Sequence, residues 1–227
     1  MWEQTVNFLP KLLLFRLKFV TIVAEMKTKR VFMRFLKENS YLIVRLLMTQ
    51  IGMLVFATVL TVASVSFSGL LLTVSIFSVI FYMALSYVAT WDRGAKDVLR
   101  VEAGRDTRRL YTGFLAGAFA AIPSLILTVL MLVANLASLD AMYTVLRIIL
   151  FIWQAPYTGI ISTFFDGTAL TVFGATVAQE TFYLLMTLAY FVALIPPVVG
   201  AGLGYIFGYK NYRIFGHLFD SAPKNKE

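Results

Sequence analysis

Cysteine is missing from this sequence, histidine occurs once, and Asp, Glu, Lys and Arg together make up only 14% of its 227 residues. Without cysteine there is no disulfide, no thiolate nucleophile and no cysteine-ligated metal. The one histidine, His217, lies in a polar tail, where a surface position outweighs a role as ligand or base. No H-E-x-x-H, P-loop or G-x-S-x-G spacing occurs, and no buried-looking lysine pairs with a serine in any crossing. No catalytic, cofactor-binding or metal site is therefore expected. An average soluble domain is about half apolar and roughly a quarter charged. This chain is 59% hydrophobic and 15% aromatic, which excludes an ordinary soluble, disordered or fibrous protein. What remains is a multi-pass membrane protein.

The little charge present is concentrated. Of 20 Lys and Arg, eight lie in the first 40 residues (Lys11, Arg16, Lys18, Lys27, Lys29, Arg30, Arg34 and Lys37). Six lie between 92 and 110, and four in the tail. The stretch 140–180 holds only Arg147, beside Asp140, Asp166 and Glu180. By the positive-inside rule the N-terminal segment, the middle loop and the tail belong in the cytoplasm, and 140–180 on the outer side. Both termini on one side require an even number of crossings. The excess of +8 then reads as attraction to anionic inner-leaflet lipid rather than to nucleic acid. No cleavable signal peptide is visible, because Arg16 and Lys18 interrupt the first apolar stretch.

Three units follow: a basic amphipathic segment, 1–40; a transmembrane helical domain, 41–209, with a cytoplasmic loop at 92–110 and an outer region at 140–180; and a cytoplasmic tail, 210–227. Residues 12–23 are too short and too charged to span, and read as an interfacial helix with its apolar side in the headgroup boundary. Residues 46–91 carry no charge. As one helix they would be ~70 Å long, about twice the hydrocarbon core, so they must fold back. The Ser-rich stretch 64–69 is the turn signal, giving helices over about 41–65 and 70–91. Arg45 can snorkel to the interface, and Tyr82, Tyr87 and Trp91 approach the far end of the hairpin, where amphipathic aromatics prefer to sit.

Residues 110–139 form a third crossing. Gly113 and Gly117 with Ala121 follow small-xxx-small spacing, and Pro123 is a candidate kink. Residues 181–209 form the last crossing, broken at Pro196-Pro197, with Gly200, Gly204 and Gly208 on one helix face for close packing. Between them, 148–165 contains Pro156 and Gly159, and 167–179 reaches only ~20 Å as helix. The favoured reading is a re-entrant or interfacial pair on the outer side; two further crossings are the alternative. The fold class is thus an all-α integral membrane protein, a helical bundle with four crossings, or six. Asp166 and Glu180 could bind a cation if they approach the membrane, but an acidic solvated loop is the simpler reading.

The segment from Trp91, Trp-Asp-Arg-Gly-Ala-Lys-Asp, is the most motif-like part of the chain. Gly94 permits an unusual turn there, and the alternating charges that follow suit either a salt-bridged connector or a partner-contacting face. Trp91, Asp92, Gly94, Lys96 and Asp97 are the candidate partner contacts. These residues, together with the closing stretch Gly-Tyr-Ile-Phe-Gly-Tyr-Lys over 204–210, resemble a group of multi-pass membrane proteins of Gram-positive bacteria without assigned activity. The resemblance implies a bacterial plasma membrane and carries over no function.

Three function classes remain. The favoured one is a non-catalytic component that scaffolds, anchors or regulates a larger membrane complex through other membrane subunits. The second is a small transporter or channel-forming subunit, suggested by the proline-broken last helix. A lipid-modifying membrane enzyme is a distant third. The scarcity of charge inside the crossings weighs against ion-coupled transport.

Overall fold

The computed structural model describes residues 8–105, 109–167 and 169–212, with side chains from Phe32 onward, Ser68 apart. His217 and most of the tail, with Asp106 and Arg108, lie outside the described residues, as do the side chains of the proposed interfacial helix. Among the described residues the chain is overwhelmingly helical: α1 (Phe8–Ser64), α2 (Ser68–Glu102), α3 (Thr112–Ala120), α4 (Ile122–Leu136), α5 (Asp140–Trp153), a 3-10 turn (Ala155–Tyr157), α6 (Thr158–Phe164), α7 (Gln179–Val192) and α8 (Ile195–Tyr209). Between α6 and α7 lie three two-residue strands, β1 (Phe165–Asp166), β2 (Thr171–Val172) and β3 (Ala175–Thr176). The chain divides into two compact units, Met1–Tyr41 and Leu42–Glu227. In the first, Arg34 Nε pairs with Glu38 Oε1 at 2.7 Å and Asn39 Nδ2 donates to the Phe35 carbonyl at 3.0 Å, both one turn along the helix.

The side chains of the second unit are distributed as lipid demands. Val59, Val62 and Ile80 are more than 60% exposed, whereas Ser78, Ser86, Thr90, Thr128 and Thr187 are at most 2% exposed. A soluble protein would reverse that pattern. In a bilayer, apolar side chains can face the lipid while small hydroxyl-bearing residues let backbones approach and bond within the bundle. Thr90, Thr128 and Thr187 each donate to the carbonyl four residues earlier, so burial leaves their hydroxyls satisfied. Phe32–Ser64, Gly69–Glu102 and Gln179–Tyr209 are each long and apolar enough to cross a membrane. Two bent pairs, α3 with α4 and α5 with the 3-10 turn and α6, raise that number to five if each is one span.

The turn between α1 and α2 is tighter than the serine run implied. It occupies only 65–67, and Gly69 already belongs to α2. At its other end α2 does not stop at Trp91. It continues to Glu102, so most of the expected 92–110 loop is helix, extending ~16 Å past the uncharged run. Gly94 makes no unusual turn; it is a helical residue where the backbone of α8 comes close. Tyr82 likewise departs from expectation: it is buried within the bundle rather than near the end of the hairpin. The chain bends by 54° between α3 and α4, at Ala121 and just before Pro123, and by 90° between α5 and the segment Ala155–Phe164 at Pro156. Proline fits the first turn of a helix because the N–H it lacks has no intrahelical partner there.

Residues 165–177 hold a small antiparallel meander, ordered β1-β2-β3, rather than the short helix that a further crossing would need. Phe173 and Gly174, at φ 50° and 81°, form the two-residue turn between β2 and β3. Positive φ at both positions matches the twist of the paired strands. Both outer ends of the α5–α6 segment meet the first turns of α7: Tyr143 stacks on Tyr183 at 4.1 Å, and Phe165 lies edge-on to Phe182 at 6.1 Å. The segment bends by 90° between these two contacts.

A polar pocket where three helix breaks meet

Two kinds of packing frame the interior. The first is backbone against backbone. Gly200, Gly204 and Gly208 lie on the α8 face turned toward α2: a Cβ at Gly200 would stand 2.9 Å from the Met83 carbonyl oxygen. At Gly204 it would strike Tyr87 and Thr90, and at Gly208 the Trp91 carbonyl. Gly94 answers from α2, where a Cβ would meet the Tyr205 carbonyl. Gly113 and Gly117 of α3 fit against α8 in the same way, at Tyr205 and Ala201 and at Val198. Gly202 faces the Phe114 ring, and Gly159 of α6, not assigned a packing role from the sequence, meets Leu71 and Ser75 of α2. Ala89, Ala116, Ala120 and Ala201 complete this small-residue core with Leu42 and Leu46.

The charged end of α2 closes onto α8. Asp97 is 7% exposed; its Oδ2 accepts from Tyr205 Oη at 2.9 Å and from Arg93 Nε at 3.2 Å. Arg100 stands 3.6 Å from Oδ1. Trp91 Nε1 donates to the Tyr212 carbonyl at 2.9 Å. So of the five proposed partner contacts, Gly94 and Asp97 are turned inward onto α8, and Trp91 is held by Tyr212, just beyond α8. Asp92 and Lys96 stay accessible, joined to each other at 2.9 Å, with Arg45 3.8 Å from Asp92. The two stretches that carry the family resemblance are thus packed against each other.

The second kind of packing surrounds polar groups. The bends at Ala121 and Gln154 and the short interruption of the helix at Leu194, each just before a proline, converge on one small, partly open cavity of about 30 Å³. That volume holds roughly two waters. Gln50, Tyr82, Ser86, Ser124, Gln154 and Tyr157 bring polar groups to its wall. The Gln50 amide satisfies its neighbours when Oε1 accepts from Ser124 Oγ at 2.6 Å and Trp153 Nε1 at 3.0 Å, and Nε2 donates to the Ala120 carbonyl at 3.2 Å. It thereby bonds a carbonyl at the α3–α4 bend and an indole at the α5 bend together. Gln154 is 4% exposed, and neither of its amide atoms has a hydrogen-bond partner among the described residues; nor has the Tyr157 hydroxyl. A buried amide of this kind costs about 1–3 kcal/mol per unmade bond.

The α5–α6 turn is braced from α2. Ser75 Oγ donates to the Pro156 carbonyl at 2.6 Å and accepts from the Ile160 N–H at 3.2 Å. Thr158 Oγ1 donates to the Phe151 carbonyl at 2.9 Å. Backbone groups freed by a break inside a bilayer must be satisfied within the protein, and these two hydroxyls do so. Pro123, Pro156, Pro196 and Pro197 thus all sit at breaks around one pocket. Gln50, Ser75, Ser124 and Gln154 were missed from the sequence, where attention fell on charge. Their one signal was an amide or hydroxyl within an otherwise apolar run.

Among the described residues no cluster of three or more His, Cys, Asp and Glu could hold a metal. Asp166 is exposed and bonds within its own loop, with Oδ1 accepting from the Ala169 N–H at 3.4 Å, and Glu180 lies in the first turn of α7. The chain matches no protein-family model, no curated protein and no solved structure.

Proposed function

We propose that the chain is a non-catalytic component of a larger membrane complex. It crosses the membrane four times, with α5–α6 as a re-entrant segment, and both termini lie on the cytoplasmic side of a bacterial plasma membrane. The re-entrant assignment draws support from Tyr143 and Phe165 both meeting the start of α7. The observation that carries the functional reading is the extension of α2. Beyond Trp91 it leaves the uncharged run as a helix, and α8 clamps it through Gly94, Asp97 and Tyr205. A charged helix held rigidly outside the apolar zone is a preorganised docking face. Lys96, Leu99 and Arg100 are exposed on it.

The test is purification of the tagged full chain from its native membrane in mild detergent. A membrane protein should co-purify in fixed stoichiometry, and Leu99→Glu, at a position 64% exposed on this face, should release it without lowering the thermal midpoint. A chain recovered alone as a monomer would contradict the reading.

A second reading rests on a different observation, the convergence of three breaks on a polar cavity. Discontinuous helices line the sites of several transporters. On that reading Gln154 and Gln50 contact a small polar solute when the pocket opens. Liposome flux of small polar solutes that Gln154→Leu leaves unchanged would remove it.

A further inference from the structure

Arg147 is a basic residue in a mostly apolar helix. It lies two turns into α5, within a segment apolar enough to enter a membrane, and is half-buried. Among the described residues it makes no ion pair and no hydrogen bond. Its guanidinium reaches toward the strand end of the bundle, where a Cβ at Gly167 would lie 2.6 Å from Nη2. An unpaired guanidinium at membrane depth is costly unless an anion or water meets it. It opens onto a pocket of about 660 Å³, walled also by Ser162, Thr163, Phe165 and the first turn of α2. Asp166 lines the same pocket, its Oδ1 accepting from the Ala169 N–H.

Phe165 is also a wall of a second hollow, an apolar groove of about 720 Å³ between α6, α7 and the meander. Ile160, Phe164, Leu188, Ala189 and Val192 line it. It runs from the meander to Pro196, and its lining from Leu185 to Pro196 covers ~16 Å of helix rise, about half of a ~30 Å hydrocarbon core. Phe173 overhangs it. That residue is 73% exposed and holds φ 50°, a conformation that suits Asn or Gly and costs a phenylalanine about 1 kcal/mol or more. Its ring tilts onto Phe164 at 4.8 Å.

A cationic pocket joined at one residue to a leaflet-deep apolar groove has the two-part chemistry of a phospholipid. We infer that this face binds a membrane glycerophospholipid, its phosphate at the Arg147 guanidinium and an acyl chain along the α6–α7 groove. Arg147 supplies a planar fork suited to phosphate oxygens, and the groove supplies a path with almost no polar surface. The groove shares Tyr157 and Ala193 with the central polar pocket, but the site is separate from the charged end of α2 that carries the proposed function, so its failure would leave that function standing.

The experiment uses the delipidated full chain in detergent, titrated with phosphatidylglycerol, phosphatidylethanolamine, diacylglycerol of the same tails, and inorganic phosphate. Native mass spectrometry reads binding, and circular dichroism confirms folding. Both phospholipids should bind at least tenfold more tightly than diacylglycerol. Arg147→Gln should abolish that preference, and Arg147→Lys should retain part of it. Ala189→Phe, which fills the groove, should weaken every tailed ligand while leaving Arg147 in place. If Arg147→Gln does not fold, the diacylglycerol comparison and Ala189→Phe decide. Equal binding of diacylglycerol, or unchanged binding by a folded Arg147→Gln, would overturn the inference. So would inorganic phosphate displacing the lipid at equal concentration.

Discussion

The sector of α2, α3 and α8 and the sector of α4 to α7 share one membrane environment but are built differently. In the first, glycines at 94, 113, 117, 200, 204 and 208 bring helix backbones into contact, and alanines fill what remains. In the second, large side chains make the core, among them Tyr143, Phe182, Met186 and Tyr190, and the chain breaks direction at Gln154. Lipid offers no hydrophobic drive to push helices together, so close backbone packing and interhelical bonds must do it. The glycine sector spends its residues on that contact and leaves no room to move. The broken sector depends on side chains and on hydroxyl braces such as Ser75, and it encloses unpaired polar groups. One sector is a clamp and the other is a hinge.

The largest effect should come from wedging the clamp open. Gly208→Leu places a side chain into the Trp91 carbonyl, and we expect a loss of about 3 kcal/mol or failure to assemble, read as the thermal midpoint in detergent. Gly52→Leu is the control: a Cβ there meets nothing within 4 Å, and the change should stay within about 0.5 kcal/mol. If the two variants melt alike, glycine packing does not hold the clamp. Next in size is Asp97→Ala, which leaves Arg93 and the Tyr205 hydroxyl without their buried acceptor and should cost about 3 kcal/mol. Tyr205→Phe removes a single bond and should cost about 1 kcal/mol.

How much of this was legible in the sequence depends on the kind of signal. The spacing of Gly200, Gly204 and Gly208 put three glycines on one helix face, because 3.6-residue periodicity is written directly in the chain. Which helix that face would meet was not, since the partner, 83–94, lies more than a hundred residues away. The continuation of α2 past Trp91 was hidden for a related reason. Charge was taken to end the helix, but a helix can leave the membrane without unwinding when another helix accompanies it. Pro156 marked a break, whereas the small meander after it did not announce itself: strands of two residues are too short for any alternation to show. The central pocket was the hardest to see. Its polar members come from α1, α2, α4 and α5, and each alone reads as a tolerated polar residue in an apolar run.

The hinge should respond more weakly and in both directions. Ser75→Ala strips the brace from the Pro156 carbonyl and the Ile160 amide, and about 2 kcal/mol should be lost. Gln154→Leu removes a buried amide without partners at similar volume, so stability should hold or rise by about 1 kcal/mol. A clear loss of stability on that change would mean that the amide is satisfied in the working protein, and would bring the hinge closer to the clamp in character.

Backbone hydrogen exchange by mass spectrometry, on the full chain in lipid nanodiscs, compares the sectors in one sample. Peptides covering 83–94 and 200–208 should be protected, while those covering 154–160 and 192–196 should exchange at least tenfold faster through local opening at the breaks. Equal protection of both sets, or faster exchange in the glycine sector, would contradict the division into clamp and hinge.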